Sequence, residues 1–389
     1  MDTKILIGAD IVPTKSNYVE FIEGNVETLV GKTDYSTEEE MCDLLHEMDF
    51  TIFNLEVPLT DVISPLQKCG PNLQALSKTI NGIKKLNPYF FTLANNHILD
   101  QSVQGLKATM EILNRENIKY AGAGNDLKEA SKPFVFEKNG IKIGIYCCSE
   151  REFSIATENK AGANPFDPLF SLDHIRLLKK DVDYVIVLYH GGKEHYRFPS
   201  PNLQKTCRRI VDSGADLVVC QHSHCIGCYE DWGTGKIIYG QGNFLFDDSD
   251  SEFWKTSLLI EIIFKSKNDF TIKYIPIVKV GNGIRLAENE KKVEIINGFE
   301  DRSKKIIESA FIETEYSKFA QQYINTYLRT GMPHNTSLFN RVFNKLSKGT
   351  WFERRITKEQ KLALCNYLEC EAHRELFLQG LKESLRKSS

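Results

Sequence analysis

Long apolar runs are missing from this chain of 389 residues, and so is any strong excess of one charge. No stretch of about 18 or more apolar residues occurs, which argues against a membrane span. Residues 1–4 are not a basic segment followed by an apolar core, which argues against a secretion signal. A formal net charge of −3 at pH 7 gives no overall attraction to nucleic acid. We therefore expect a soluble cytoplasmic protein without a nucleic-acid partner.

The ten cysteines lack the setting of a disulfide framework. Cys147, Cys207 and Cys220 lie in apolar runs, where a free thiol packs as a small hydrophobic group, and this favours a reducing compartment. Cys225 and Cys228 form a Cys-x-x-Cys pair, but no second pair at zinc-ribbon spacing accompanies it. A zinc or redox role therefore stays open beside the alternative of packed or exposed thiols.

Short β-branched runs alternate with amphipathic stretches in the first part of the chain, up to about residue 124. This β-α-β succession, with nearly continuous apolar strands, is typical of a parallel sheet covered by helices. Two strands around Asn139-Gly140, a strong hairpin signal, predict that a second sheet begins near residue 133. Strands predicted between residues 237 and 280 follow one another without helices, which favours antiparallel pairing.

A polar stretch over residues 281–298 separates this β-rich body from a part with helical spacing of apolar residues. The spacing of apolar residues over 299–389 predicts three or four helices, with breaks at Gly331, Pro333 and Gly349. We therefore predict an α/β domain over residues 1–290 and a C-terminal helical domain over residues 291–389.

Metal-ligating residue types recur where predicted strands end. His222 and His224 follow a buried strand, and two imidazoles one residue apart can present nitrogen atoms to one metal ion. Earlier apolar runs end, in order, at Asp10, at Asn54 with Glu56, at Asn96 with His97, and at His190. Taken singly, the acidic and amide residues could cap turns and the histidines could be core residues.

Taken together, these residues predict a two-metal hydrolytic site, because the carboxyl ends of strands meet at one edge of an open α/β sheet. Such a site needs a bridging carboxylate, terminal oxygen and imidazole ligands, and a proton donor. Mixed nitrogen and oxygen ligands suit manganese, iron or zinc better than calcium.

The same segments resemble the bacterial capsule-synthesis CapA family, which includes poly-γ-glutamate synthesis proteins and whose catalytic domain is similar to calcineurin-like metallophosphoesterases. The resemblance covers roughly residues 4–250 and rests on Gly8-Ala9-Asp10, Asn54-Leu55-Glu56, Ala94-Asn95-Asn96-His97-Ile98-Leu99-Asp100, Tyr189-His190-Gly191-Gly192, Gln221-His222-Ser223-His224 and Tyr239-Gly240-Gln241-Gly242-Asn243-Phe244. It implies a four-layer α/β/β/α sandwich of metallophosphoesterase type, with the C-terminal helices as an extension outside it.

The resemblance also implies roles for single residues. Asp10 and His224 would bind a first divalent ion, Glu56 would bridge, and Asn96, His190 and His222 would bind a second ion. His97 would protonate the leaving group or stabilise charge, and Asp100 would orient it. Asn54 would hold Glu56 by a hydrogen bond, and Asn95 would support the neighbouring ligands in the same way.

Three positions differ from the metallophosphoesterase motifs. Val12 stands where Asp-x-His has histidine, so the first metal should bind more weakly; Glu56 replaces an aspartate, and Asn95 replaces the glycine of Gly-Asn-His. Amide or glycan hydrolysis is therefore open beside phosphoester hydrolysis, since metal-activated water attacks carbonyl and phosphoryl centres alike.

Three functions follow as hypotheses. The first is a metal-dependent hydrolase or transferase in capsule or exopolymer biosynthesis, acting on poly-γ-glutamate, polysaccharide or another anionic polymer. The second is a metallophosphatase that acts on a small phosphoester. The third is a non-catalytic accessory protein that holds polymer or exopolymer synthase components.

Several basic segments have a functional and a plain interpretation. Residues 68–72 could cover the site or form a surface turn, and Arg151 and Lys193 could meet an anionic substrate or lie in solvent. Residues 341–361 carry seven Lys or Arg with Trp351 and Phe352 between them. This stretch could contact an anionic polymer, a membrane surface or a protein partner, although a solvated face is the usual alternative.

Overall fold

The computed structural model describes residues 2–13, 16–31, 41–246, 250–331, 345, 356–369 and 371–388. Contacts within the chain divide it into two compact units, Met1–Glu313 and Thr314–Ser389. The strands are β1 Thr3–Ile11, β2 Phe50–Leu55, β3 Phe90–Thr92, β4 Lys119–Ala121, β5 Ala123–Gly124, β6 Phe134–Lys138, β7 Ile141–Ser149, β8 Gly162–Ala163, β9 Tyr184–His190, β10 Leu217–Gln221, β11 Tyr229–Trp232, β12 Gly235–Ile238, β13 Asn243–Leu245, β14 Thr256–Ser266, β15 Asp269–Val280 and β16 Gly283–Leu286.

The described residues also form helices. In chain order they are α1 Tyr18–Glu23, α2 Glu27–Val30, α3 Met41–Glu47, α4 Ile80–Lys85, α5 Ser102–Arg115, α6 Leu127–Ala130, α7 Ser171–Asp181, α8 Pro201–Asp212, α9 Asn289–Lys305, α10 Phe311–Gly331, α11 Lys358–Glu369 and α12 Glu371–Ser388, with 3₁₀ turns at Ser77–Thr79 and Glu252–Trp254. In the described ranges, none of these helices is both long enough and apolar enough to cross a membrane.

Two large sheets form the first unit. The first has the strand order β16-β15-β14-β1-β2-β3-β4, with β13 also pairing with β1. Its β1 to β4 run parallel, as the β-α-β pattern predicts, whereas β14, β15 and β16 are antiparallel. The second has the order β11-β12-β10-β9-β7-β6, parallel in the middle and antiparallel at both edges.

The alternation of side chains along the strands produces four layers. On β1, Ile5 and Ile7 belong to the core between the sheets, whereas Leu6 faces the outer helices, because successive side chains of a strand point to opposite faces. On β9, Ile186 faces the other sheet and Val187 faces α7 and α8. The fold is therefore an α/β/β/α sandwich, which confirms the predicted fold class.

The hairpin predicted at Asn139-Gly140 joins β6 to β7, and both turn residues have positive φ, at 54° and 75°. The segment of residues 237–246, for which the sequence favoured antiparallel pairing, also forms parallel pairs in both sheets. Its first part, β12, pairs parallel with β10, and its second part, β13, pairs parallel with β1 in the other sheet. Gly240 and Gly242, with φ of 128° and 85°, allow the chain to pass from one sheet to the other.

The helix α9 packs within the first unit. Phe299 is fully buried, with its ring 5.2 Å from that of Tyr229 and 4.9 Å from that of Tyr274. The backbone N–H of Tyr229 donates to Ser303 Oγ at 2.8 Å, and Arg302 Nε donates to the carbonyl oxygen of Gly227 at 2.7 Å. The compact unit thus extends to Glu313, while the domain boundary near residue 290 stays a prediction.

Replacing Phe299 with alanine should therefore destabilise the first unit by about 3–5 kcal/mol, the usual cost of removing a buried aromatic ring. Urea unfolding followed by tryptophan fluorescence measures this free energy. Val293→Ala in the same helix is the matched control, because Val293 is 57% exposed and should change stability by less than about 0.5 kcal/mol. Equal effects of the two variants would contradict the packing of α9 on β11 and β15.

Candidate metal centre

The ends of strands from both sheets meet at one site. In the first sheet, Asp10 on β1 is paired in register with Asn54 on β2 and with Asn243 on β13. In the second sheet, His190 at the end of β9 is paired with Gln221 at the end of β10, immediately before His222. The parallel registers thus place the predicted ligands side by side, as the strand-end argument requires.

Short distances connect these side chains across the two sheets. Asn54 Nδ2 donates to Asp10 Oδ1 at 2.8 Å and lies 3.3 Å from His190 Nδ1. The other ring nitrogen of His190 lies 3.0 Å from Asn96 Oδ1 and 3.3 Å from Glu56 Oε1. All six predicted ligands belong to this cluster, since His224 Nδ1 lies 3.6 Å from Asp10 Oδ2 and the rings of His190 and His222 are 4.7 Å apart.

The loop after β10 turns two imidazoles into the cluster. His222 and His224 have φ of 94° and 52°, in the left-handed region that non-glycine residues rarely adopt. Such backbone costs about 1–3 kcal/mol at each residue and persists where the surrounding structure holds it. Here it brings one donor atom each from Glu56, His222 and His224 within 4.8 Å of one another.

Two buried carboxylates dominate the electrostatics. Asp10 and Glu56 are both fully buried, and burial, followed by the charge of Asp10, raises the pKa of Glu56 well above its usual range. Burial lowers the pKa values of His190 and His222, and the neighbouring imidazoles lower them further, so both rings are neutral, as metal ligands must be. Burial also acts to lower the pKa of His224, but the nearby Asp10 carboxylate and the hydrogen bond to Asn243 outweigh it and leave that pKa raised.

The donor set fits a divalent cation. Within the described part of the chain, Asp10 Oδ2, both carboxylate oxygens of Glu56 and His222 Nδ1 are buried and have no hydrogen-bond partner. A buried polar group without a partner costs about 1–3 kcal/mol, and more if it is charged. A cation held between these oxygen and nitrogen atoms would satisfy them, and the mixed donors suit manganese, iron or zinc.

His97 stands beside this cluster. Its Nδ1 lies 2.6 Å from Asp100 Oδ2, and Asp100 is fully buried, so the predicted pairing of these two residues is present. Asn95 also supports the site, because its Nδ2 donates to Asn54 Oδ1 at 3.0 Å and its Oδ1 accepts from the backbone N–H of His97 at 3.1 Å.

One expectation about contacts needs correction, and one residue of the site was missed by the sequence analysis. Asn54 donates to Asp10 and not to Glu56, because β1 and β2 are paired at this level while Glu56 lies beyond the end of β2. Asn243, to which the sequence assigned no role, lies with Oδ1 2.8 Å from His224 Nδ1. In the sequence, only its position in the Gly-Gln-Gly-Asn segment after an apolar run could have indicated that it belongs to the site.

Other candidates lie outside the cluster. Val12 is fully buried in the core under the outer helices, so it offers no ligand. Cys225 and Cys228 are also fully buried, and burial raises the pKa of Cys225 to about 11. Both observations agree with the alternative of packed thiols. Arg151 is paired with Asp167 at 2.5 Å. Trp351, Phe352 and most of residues 341–361 lie outside the described residues.

An α/β/β/α sandwich with buried carboxylates and imidazoles at converging strand ends defines an α/β protein with a candidate metal site. The family model described as "Bacterial capsule synthesis protein PGA_cap" matches residues 19–248, more than half of the chain. The chain therefore belongs to this capsule-synthesis family.

Curated relatives carry related names. The chain is 32% identical over 204 residues to "PGA biosynthesis protein CapA" of Bacillus subtilis, covering 51% of this chain and 53% of that protein. It is 27% identical over 254 residues to "Capsule biosynthesis protein CapA" of Bacillus anthracis, covering 63% and 61%. The chain therefore matches between about half and three fifths of the length of these relatives.

Among solved structures, a "novel phosphatase" of Mycoplasma pneumoniae is 15% identical with a TM-score of 0.44, covering 72% of this chain and 94% of that one. A 5'-nucleotidase precursor of Thermus thermophilus is 16% identical with a TM-score of 0.40, covering 83% and 59%. Both likenesses are too distant to say anything about the activity of this chain.

Replacing His222 with alanine should lower the affinity for Mn²⁺ or Zn²⁺ at least about tenfold, because it removes a buried nitrogen donor from the cluster. Isothermal titration and metal analysis after dialysis measure the loss. His46→Ala is the matched control, since His46 is an exposed histidine on α3 and should leave metal binding unchanged. Undiminished binding by the His222 variant would rule out this residue as a ligand.

Replacing Glu56 with glutamine should raise the melting temperature of the metal-free protein at pH 7–8. The raised pKa of Glu56 means that folding favours the protonated carboxyl, so its contribution to stability is lost as pH rises from the unfolded value through the folded one. Glutamine removes that penalty, and the difference from the parent protein should shrink toward pH 4. Added Mn²⁺ should stabilise the parent protein more than the variant; an equal gain in both would count against Glu56 as a ligand.

Proposed function

We propose that this chain is a CapA-like hydrolase or transferase that depends on divalent metal ions and acts in making or trimming a capsule or exopolymer. The observation that carries the proposal is the buried pair of Asp10 and Glu56, which faces imidazoles from the other sheet. In the described structure, Asp10 Oδ2 and both carboxylate oxygens of Glu56 have no hydrogen-bond partner. Family membership supports the same conclusion.

These ligands would hold two cations of manganese, iron or zinc. Asp10 and His224, 3.6 Å apart, would hold the first ion, and Glu56, with a donor atom near both His222 and His224, would serve both ions. Asn96, His190 and His222 would hold the second. When bound, such ions polarise the scissile group and make a ligated water more acidic.

The chain's own residues supply the remaining chemistry. His97 is the proposed proton donor, and its ring is oriented by Asp100 through the 2.6 Å contact at Nδ1. The other ring nitrogen is thereby directed away from Asp100, and when it also carries a hydrogen it can donate that hydrogen to a leaving group. Asn95 fixes the backbone N–H of His97 and so keeps the ring close to the ligands.

Charge near the site favours a carbonyl over a phosphoryl centre at the scissile bond. Enzymes of phosphoryl transfer commonly add cationic side chains to their metal ions around the oxygens of the transferred phosphate. Here Lys68 and Arg151 are each paired with an aspartate, and Glu152 Oε1 lies 3.8 Å from His222 Nε2. Together with the names of the relatives, this supports amide bonds of poly-γ-glutamate as the first substrates to test.

Incubation of the Mn²⁺-loaded protein with poly-γ-glutamate, capsular polysaccharide and a panel of phosphoesters tests the proposal. We expect shortened polymer, or exchange of its ends onto an added amine, with the poly-γ-glutamate or the polysaccharide and little release of phosphate. His97→Ala should lower kcat by about 10²–10⁴-fold while it retains metal. Turnover of phosphoesters alone would replace the proposal with a metallophosphatase, and absence of turnover by metal-loaded protein on all substrates would leave the accessory role.

A further inference from the structure

Lys68 is a buried lysine that none of the proposed ligand or catalytic roles uses. Its side chain is 3% exposed, and its Nζ forms an ion pair with Asp100 Oδ1. The same Nζ lies 3.4 Å from His97 Nδ1. Because lysine is almost never buried without a specific partner, this placement calls for a reason.

Hydrogen bonds hold the loop that carries Lys68 against Asp100. The backbone N–H of Leu66 donates to the carbonyl oxygen of Asp100 at 3.0 Å, and the N–H of Leu73 donates to Asp100 Oδ2 at 2.6 Å. Gln101 adds two contacts, since its Oε1 accepts from the N–H of Ser64 at 2.8 Å and its Nε2 donates to the carbonyl oxygen of Leu73 at 3.1 Å. The loop is thus an ordered part of the site wall.

The hydrogen-bond roles around Asp100 follow from these contacts. At 2.6 Å from a carboxylate oxygen, His97 Nδ1 must carry the hydrogen and donate it. An Nδ1 that donates cannot also accept from the Lys68 ammonium, so the partner of Lys68 is the carboxylate. Both oxygens of Asp100 are therefore occupied, Oδ1 by Lys68 and Oδ2 by His97 and Leu73.

We propose that Lys68 is a positioning residue for the proposed reaction: it holds the buried Asp100 carboxylate in the orientation that keeps the hydrogen of His97 on Nδ1 and directs Nε2 to the substrate. A carboxylate without exposure to water needs a compensating charge, and Lys68 supplies it. The inference rests on the proposed role of His97, because Lys68 acts only through Asp100 and that ring.

Lys68→Met keeps the length of the side chain and removes its charge. In the Mn²⁺-loaded protein we expect kcat to fall at least about tenfold, with KM and metal content changed less than about twofold, because the Lys68 ammonium is paired with Asp100 and not with a proposed metal ligand. Lys68→Arg should recover most of the loss. Lys84→Met is the matched control, since Lys84 forms an ion pair with Glu116 at the surface and should leave kcat unchanged.

A double-mutant cycle separates this role from general structural damage. In a His97→Ala background, Lys68→Met should have no further effect on kcat, because the ring through which Lys68 acts is gone. Losses that multiply in the double variant would overturn the proposal. Should Lys68→Met unfold, Asp100→Asn combined with it removes the unpaired buried charge, and this pair should fold and lose activity to the level of Asp100→Asn alone.

Nitrogen NMR of the His97 ring in metal-free protein tests the inference without any turnover. The parent protein should show the hydrogen on Nδ1, and Lys68→Met should shift the ring toward the other tautomer or a mixture, while Lys84→Met should not. An unchanged tautomer in Lys68→Met would overturn the proposal. Failure of the proposed function has a different signature, namely a parent protein without turnover whose His97 tautomer still responds to Lys68.

Discussion

The structure depends on the burial of two neighbouring carboxylates, Asp10 and Glu56, where the two sheets meet. Carboxylates placed side by side without water oppose folding, and the raised pKa of Glu56 expresses that cost. Neutral imidazoles from the second sheet face them, and a cation is the group that would turn this repulsion into attraction. The site is therefore a place where stability is given up for binding, as is common at functional sites.

The way the chain passes between the sheets makes this arrangement possible. One sheet alone brings together Asp10, Asn54 and Asn243, whereas the histidines His190 and His222 come from the other sheet or from the loop beyond it. The crossing at Gly240 and Gly242 joins the sheets close to the site. At Gly240 a Cβ atom would lie 2.6 Å from Ser223 Oγ in the histidine-bearing loop, so close approach as well as positive φ requires glycine there.

A third buried carboxylate, Asp100, lies close to this centre, and its negative charge is balanced by a lysine. Asp100 is buried like Asp10, but Lys68 forms an ion pair with its Oδ1, and its Oδ2 accepts hydrogen bonds from His97 and the backbone of Leu73. The contrast separates two kinds of buried carboxylate: a pair whose oxygens suit a cation, and one whose charge is balanced by a lysine and which orients the His97 ring. Membership in the capsule-synthesis family is consistent with both.

The sequence by itself determined the α/β class, the hairpin at Asn139-Gly140 and the candidate ligands, because hydrophobic periodicity, turn residues and the polar residues after apolar runs are local properties of the chain. Only the tertiary structure decided that residues 243–245 join the first sheet, that Asn54 supports Asp10 and not Glu56, and that Lys68 lies against Asp100. These features depend on strand register and on contacts between residues far apart in the chain. Local spacing cannot specify them, since the pairing energy of a strand or a buried charge is set by the partner that folding brings to it.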